Sequence, residues 1–183
     1  MPGFDFSHAI PYTYDTTLPA NPSNGQEAIL TDSVTNPTYT WRLRYNAGSS
    51  SAYKWEFIGG SPLYTSTGTV SAAIGVVNTW KDITGTDIVV PRNGEYFCLV
   101  GGRLGLTTGS GNQQSHIGVA DVSVNTNPLG LFVSLVVITY DSAAVETSFV
   151  GVAGHTLRPT IQSASANMGV WDRWLRLIPK RIS

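Results

Sequence analysis

Apolar and polar side chains alternate most regularly in residues 39–45 and 52–57. A period of two predicts strands that have one wet face. The polar turn at residues 46–51 separates the two segments, so together they predict a β-hairpin, and residues 27–31 predict a third strand beside it. The large apolar residues of the first segment are Tyr39, Trp41, Leu43 and Tyr45.

The aromatic side chains of this predicted hairpin share one face, and its charged side chains share the other. Three strands cannot bury an aromatic face by themselves. We therefore expect the hairpin to pack on a partner, as an attachment module whose aromatic side chains form its core. The candidate attachment residues are Tyr39, Trp41, Tyr53, Trp55 and Phe57.

The pattern divides the chain into three parts. Residues 1–25 are rich in Pro, Asn, Ser and Thr, which predicts an extended arm. Apolar residues at even positions of this arm indicate that it lies against its own domain or against a neighbour. Residues 26–62 form the three-stranded β attachment module, and residues 63–183 predict a jelly-roll-like β-sandwich.

The sandwich prediction comes from short segments rich in Val, Ile, Thr and aromatic residues, separated by turns rich in Gly, Asn, Pro and Ser. Many short strands at regular spacing are typical of an all-β sandwich or jelly roll. No segment keeps a period of 3.6 long enough to predict a sizeable helix. The predicted strands are 69–76, 78–83, 86–91, 95–104, 115–123, 130–140, 145–152, 156–163 and 171–178.

Charged residues are scarce, at 13% of the chain, where about 25% is usual. A sandwich that stands alone places charges on its outward strand faces. We therefore expect one sheet to face a neighbouring subunit, since an obligate interface resembles a core cut in half. Trp171 and Trp174 are predicted to be core or interface residues. Between residues 93 and 155 the charged residues are Glu95, Arg103, Asp121, Asp141 and Glu146.

The overall charge argues against nucleic acid as a partner. A net charge of −1 and a pI of about 6.3 provide no field of one sign. The N-terminal residues lack the positive and apolar regions of a signal peptide. The longest apolar run, residues 129–140, is shorter than the about 20 residues of a membrane span. We expect synthesis in a cytoplasm and no membrane insertion.

Residues with catalytic or metal-binding chemistry form no motif. The single cysteine, Cys98, has apolar neighbours, which predicts a buried thiol. We predict no enzyme activity, no metal site and no cofactor. The alternative of a small carbohydrate-active jelly-roll enzyme needs a pair of acids in a groove. The histidines that lack the spacing of a zinc site are His8, His116 and His155.

Three stretches of the N-terminal part carry a longer pattern. They are LPANPSNGQEA at residues 18–28, TWRLRYNAG at residues 40–48 and YKWEFIGG at residues 53–60. This pattern resembles a module common in virion proteins of tailed bacteriophages, especially minor tail and fibre proteins. The resemblance implies a location in the virion and other virion proteins, of the tail or the capsid, as partners.

Two stretches of the remaining chain, VPRNGEYF at residues 90–97 and WLRLIP at residues 174–179, resemble the trimeric jelly rolls at the ends of phage fibres. Those domains are similar to tumour necrosis factor. The resemblance implies a homotrimer, and it carries no catalytic residue and no cofactor.

We therefore expect a trimeric minor tail or fibre-tip protein that binds a glycan or a protein of the host cell surface. Polar loops at residues 107–114 and 125–128 suit such a binding surface. Because the chain has no long shaft, an alternative is a capsid decoration protein or head fibre. The candidate tip-loop residues are Thr107, Ser110, Asn112, Gln113, Gln114, Asn125 and Asn127.

Overall fold

The computed structural model describes residues 14–68, 75–108, 113–124, 128–129, 133–137 and 140–183. These residues form strands and loops and contain no helix, so the all-β prediction is confirmed. In particular, they include no helix of the length and apolar character that crosses a membrane.

The strands of the described residues alternate with short loops. In chain order they are β1 (Tyr14–Asp15), β2 (Glu27–Thr31), β3 (Thr40–Tyr45), β4 (Trp55–Ser61), β5 (Leu63–Thr67), β6 (Lys81–Asp82), β7 (Ile88–Val89), β8 (Gly94–Leu106), β9 (Gln113–Asp121), β10 (Val133–Val137), β11 (Tyr140–Gly151), β12 (Thr156–Ser163) and β13 (Met168–Ile182).

These strands form two sheets. Sheet A has the order β1-β2-β3-β4-β13-β8-β11, and β5 also pairs with β13. Sheet B has the order β10-β9-β12-β6, and β7 also pairs with β12. After β8, consecutive strands therefore belong to opposite sheets at β8 and β9, β10 and β11, β11 and β12, and β12 and β13.

The pairing of the strands from β5 onwards is nested. β5 pairs with β13, β7 with β12, β8 with β11 and β9 with β10, and every pair is antiparallel. The chain is thus a long antiparallel ribbon that is rolled across two sheets. This is the arrangement of a jelly roll, and the prediction of a jelly-roll-like sandwich is confirmed.

The core of the sandwich follows from alternation along the strands. On β8, Tyr96, Cys98 and Val100 have no exposed surface, whereas Phe97 and Leu99 are partly exposed on the other side of the sheet. The prediction that Cys98 is a buried thiol is confirmed. Burial raises the pKa of this thiol to about 12, so it stays protonated and unreactive.

The N-terminal strands continue the same sheet as the sandwich. The first two residues of β4 pair with the end of β13. The ring centroid of Trp41 on β3 lies 6.2 Å from that of Tyr96 on β8, so the aromatic side of β3 packs on the sandwich core. Independent folding of residues 26–62 as a module stays a prediction.

Some predicted strands differ from the observed ones. Residues 130–140 do not form one strand, because they are divided between β10 and β11, which belong to opposite sheets. A continuous apolar run gives no sign of the point where the chain turns from one sheet to the other. In the predicted strand 78–83 only β6 is extended, and residues 69–74 of the predicted strand 69–76 lie outside the described residues.

A bulge in β4 depends on a glycine. The register between β3 and β4 shifts between Arg42 and Leu43, and Gly60 beyond the shift has a φ of 113°. A Cβ atom at Gly60 would overlap the carbonyl oxygen of Thr40. Both the positive φ and the close approach of β3 therefore require glycine at this position.

A cluster of charged and polar side chains joins β4, β8 and β13. The guanidinium of Arg181 lies 3.1 Å from the carboxylate of Glu95 and 3.5 Å from that of Glu56. The hydroxyl of Ser51 donates to Glu95 at 2.7 Å. The Ser51 hydroxyl, together with Arg181, holds the pKa of Glu95 below its usual value.

The substitution Gly60→Ala is expected to lower the free energy of unfolding by about 2 kcal/mol or more, because the new Cβ adds backbone strain and a clash with β3. Urea unfolding followed by tryptophan fluorescence measures the change. Gly48→Ala is the matched control, because Gly48 is exposed and a Cβ there would meet only the Asn46 side chain at 3.5 Å. Equal effects of the two substitutions would contradict this role of Gly60.

The Glu95 cluster predicts a stability that falls in acid. A carboxylate whose pKa is lowered by folding stabilises the folded protein above its ordinary pKa, and this contribution is lost as the pH falls through the lowered value. Glu95→Gln should therefore lower the melting temperature at neutral pH and change it progressively less below the ordinary glutamate value of 4.5. Calorimetry across this pH range measures the difference. A difference that is constant with pH would show that Glu95 acts through packing alone.

Candidate binding face of sheet A

The outward side of β5, β13, β8 and β11 forms a surface that we name the A-face. The strand registers place its side chains in rows, because Tyr64 lies opposite Arg176, Arg176 opposite Leu99, and Leu99 opposite Glu146. In the next row Ile178 lies opposite Phe97. The A-face consists of Tyr64, Phe97, Leu99, Glu146, Trp174, Arg176 and Ile178.

The A-face is apolar for an outward sheet surface. Phe97 and Ile178 are partners in the register, Leu99 lies two residues from Phe97 on the same side of β8, and each of the three is partly exposed. Tyr64, on the far side of Arg176, is 52% exposed. Single exposed apolar residues are ordinary on protein surfaces, but a contiguous patch marks a contact site.

Cations lie over two aromatic rings of this surface. The guanidinium carbon of Arg176 is 5.7 Å from the ring centroid of Tyr64, and the Nζ atom of Lys180 is 5.8 Å from that of Phe97. Such contacts contribute roughly 0.5–1 kcal/mol each at exposed sites. They hold long side chains flat against the sheet, so the surface remains even.

A bulge in β13 decides which residues of this strand face outward. The register with β8 shifts between Trp171 and Trp174, and Asp172 has a φ of 46°. Val170 before the bulge and Leu175 after it are both buried, although one position is even and the other odd. Since a regular strand would place them on opposite faces, the extra residue turns Trp174 outward.

The same bulge directs a charged side chain inward. Arg173 is only 5% exposed, and its Nη2 atom donates to the carbonyl oxygen of Thr84 at 2.7 Å. Burial lowers the pKa of this guanidinium. The hydrogen bond ties the loop between β6 and β7 to β13 and helps to keep the bulge in place.

The indole of Trp174 lies on the backbone of β8. A Cβ atom at Gly101 would be 2.8 Å from the indole Nε1 and closer still to two ring carbons. Because Gly101 has no side chain, the ring rests directly over its α carbon. Trp174 is partly exposed.

A cleft of about 300 Å³ adjoins Trp174 at one end of the A-face. An ion pair crosses it, in which the Arg103 guanidinium lies 2.9 Å from the Asp172 carboxylate, and these side chains are 50% and 57% exposed. The cleft is lined by Gly102, Arg103, Ser142, Ala143, Ala144, Asp172 and Trp174.

The aromatic residues predicted for attachment belong mainly to the core. Tyr39, Trp41 and Trp55 are 6%, 0% and 4% exposed, while Tyr53 and Phe57 are partly buried. The sequence prediction that these side chains form the centre of the N-terminal strands agrees with this burial. Their part in attachment to another protein stays a prediction.

The two predicted tip loops leave β9 at its opposite ends, because one precedes Gln113 and the other follows Asp121. Their part in a binding surface stays a prediction. Thr107 is exposed, its hydroxyl donates to the carbonyl oxygen of Asn167 at 2.8 Å, and Gln114 is exposed at the start of β9 while Gln113 is partly buried. The candidates outside the described residues are Ser110, Asn112, Asn125 and Asn127.

The described histidines take part in structural contacts. The Nδ1 atom of His155 lies 2.8 Å from Oδ2 of Asp121, and the His116 ring lies 6.2 Å from that of Trp80 between centroids. Within the described ranges, no three side chains of His, Cys, Asp or Glu are grouped closely enough to hold a metal ion. His8 lies outside these ranges.

Comparison with known proteins gives similarity to solved structures only. No family model and no curated protein matches the sequence. Eiger TNF from S. frugiperda has 9% identity and a TM-score of 0.45, over 67% of this chain and 94% of that one. The carbohydrate-binding module CBM35 from Cellvibrio japonicus Abf62 has 9% identity and a TM-score of 0.36, over 67% of this chain and 100% of that one.

A second carbohydrate-binding module, CBM6cm-2 from Cellvibrio mixtus lichenase 5A in complex with cellotriose, has 15% identity and a TM-score of 0.28, over 63% of this chain and 85% of that one. Because these TM-scores are low, the jelly-roll assignment rests on the nested strand pairing of the chain itself.

Sequence reasoning expected one sheet to face a neighbour but did not say which residues form that surface. The alternation of Trp174, Arg176 and Ile178 with the buried Leu175 and Leu177 is the signal that identifies the outward side of β13. The orientation of Trp174 itself depends on the bulge, for which the residues around it give no sign.

The position of the Trp174 indole should depend on Gly101. Gly101→Ala is expected to displace the ring, change the near-ultraviolet circular dichroism of tryptophan and lower the free energy of unfolding by about 1–3 kcal/mol. Gly68→Ala is the control, because a Cβ there would lie 3.5 Å from Asp172, an ordinary contact. An unchanged tryptophan spectrum in Gly101→Ala would show that the indole does not rest on this glycine.

Proposed function

We propose that this protein is a non-enzymatic, homotrimeric structural protein of a tailed-phage virion, a minor tail or fibre-tip protein that binds the host cell surface. The observation that carries the oligomeric part of the proposal is the apolar patch of Phe97, Leu99 and Ile178 at neighbouring positions of β8 and β13 on the A-face. The pattern of residues 18–60 supports the virion part.

The A-face has the character of a contact between copies of one chain. Its centre is apolar and aromatic, and the charged side chains Arg176, Lys180 and Glu146 lie around or across it, as in protein interfaces with an apolar core and a polar rim. In a trimer with three-fold symmetry, one side of the patch on each copy contacts the other side of the patch on the next copy, so the same residues of every chain lie around the axis.

The expected mass of the purified protein in solution is three times 19.6 kDa, measured by light scattering on a size-exclusion column at micromolar concentration. Leu99→Glu should reduce this to the mass of one chain without unfolding it, because Leu99 is partly exposed and the substitution places a charged carboxylate in the apolar patch. Val34→Glu is the control, since Val34 is 62% exposed away from the A-face.

A monomeric wild-type protein, or a trimer that is unaffected by Leu99→Glu, would reject the A-face as the contact between copies. The virion assignment is tested separately, by mass spectrometry of purified phage particles. Absence of the protein from the particles would reject the virion assignment, whatever the mass of the protein in solution.

A further inference from the structure

The cleft beside Trp174 differs in chemistry from the rest of the A-face. The patch of Phe97, Leu99 and Ile178 is apolar, whereas the cleft is crossed by the half-exposed ion pair of Arg103 and Asp172. The centres of protein interfaces are depleted in charged residues. Ser142, Ala143 and Ala144, which line part of the cleft, belong to β11, the last strand of sheet A in the order of its described strands. A contact between copies through the apolar patch therefore leaves this end of the surface to another ligand.

The Trp174 indole provides a flat apolar surface at the side of the cleft. One side of the ring rests on Gly101, which fixes its orientation before any ligand binds, so little conformational freedom is lost on binding. Aromatic side chains of this kind combine a large apolar surface with a polar N–H group. The C–H side of a pyranose ring has the size and shape to stack on such a surface.

The polar groups of the cleft point to an uncharged ligand. Among the described residues that line it, the charged side chains are one cation, Arg103, and one anion, Asp172, so their formal charges cancel. The guanidinium donates hydrogen bonds and the carboxylate accepts them, which matches neighbouring hydroxyl groups that do both. An anionic ligand would meet Asp172, and a cationic ligand would meet Arg103.

We infer that the cleft formed by Trp174, Arg103, Asp172 and Ser142 binds a neutral sugar ring, with the ring stacked on the indole and its hydroxyl groups hydrogen-bonded to the ion pair. An exposed ion pair contributes little to folding, so these side chains are available to a ligand at small cost in stability. This sugar site rests on the host-surface binding proposed above, for which it gives the binding residues and the class of ligand. It does not depend on the number of copies in the assembly.

The test is isothermal titration calorimetry of the full chain with cellotetraose, N-acetylchitotetraose and mannotetraose, and with a sulfated heparin tetrasaccharide as the anionic comparison. At least one neutral sugar is expected to bind, and Trp174→Ala should weaken that binding by about tenfold or more through the lost stacking contact.

Arg103→Gln should weaken the binding of the same sugar as well. Because Arg103 is exposed, this variant is expected to fold even if Trp174→Ala does not. Tyr14→Ala, at an exposed aromatic residue of β1 outside the A-face, is the control and should bind as the wild type does.

Failure of every neutral sugar to bind at millimolar concentration overturns the inference. So does binding that Arg103→Gln leaves unchanged, or tighter binding of the sulfated sugar than of any neutral one. Light scattering on the same samples reports the mass independently, so a trimer that binds no sugar rejects the cleft alone. A monomer that binds sugar through Trp174 rejects the trimer alone.

Discussion

The pairing of β8 with β13 is the contact on which the rest of the structure depends. β13 lies between β8 on one side and both β4 and β5 on the other, so it connects the N-terminal strands to the jelly roll. Its alternation places Leu175 and Leu177 in the core with no exposed surface, and it places Arg176 and Ile178 on the opposite side. One strand thus supplies part of the core and part of the candidate binding face.

The aromatic core shows how the N-terminal strands are held. Tyr39 lies 4.2 Å from Trp41 between ring centroids, Trp41 lies 6.2 Å from Tyr96, and Tyr96 lies 5.8 Å from Phe149. These rings come from β8, β11, β3 and the residue before β3, so the N-terminal strands and the sandwich share apolar contacts as well as backbone hydrogen bonds. Burial of large aromatic side chains is among the strongest apolar contributions available to a domain of this size.

The features that the sequence predicted are those that depend on neighbouring residues. The alternation from Tyr39 to Tyr45 predicted β3, and the apolar surroundings of Cys98 predicted its burial. Features that depend on distant strands could not be predicted. The bulge at Asp172 is stabilised by Arg173 reaching Thr84 in a loop far away in sequence, and the assignment of β10 and β11 to opposite sheets depends on their pairing with β9 and β8. The sequence therefore predicted that such a face exists. Its residues and the cleft could be identified only from the register between strands.

The nested pairing has a consequence for how the protein is made. β5 pairs with β13, and Thr67 lies opposite Arg173. β5 therefore cannot form this pairing until a strand about a hundred residues later in the chain has been translated. β13 is translated after the other described strands, and sheet A cannot form completely before then. Pairing between distant segments is slow to form, and unpaired strands with apolar faces aggregate readily. During synthesis the apolar faces of sheet A therefore stay uncovered until β13 is translated, and over this interval aggregation of the nascent chain competes with folding.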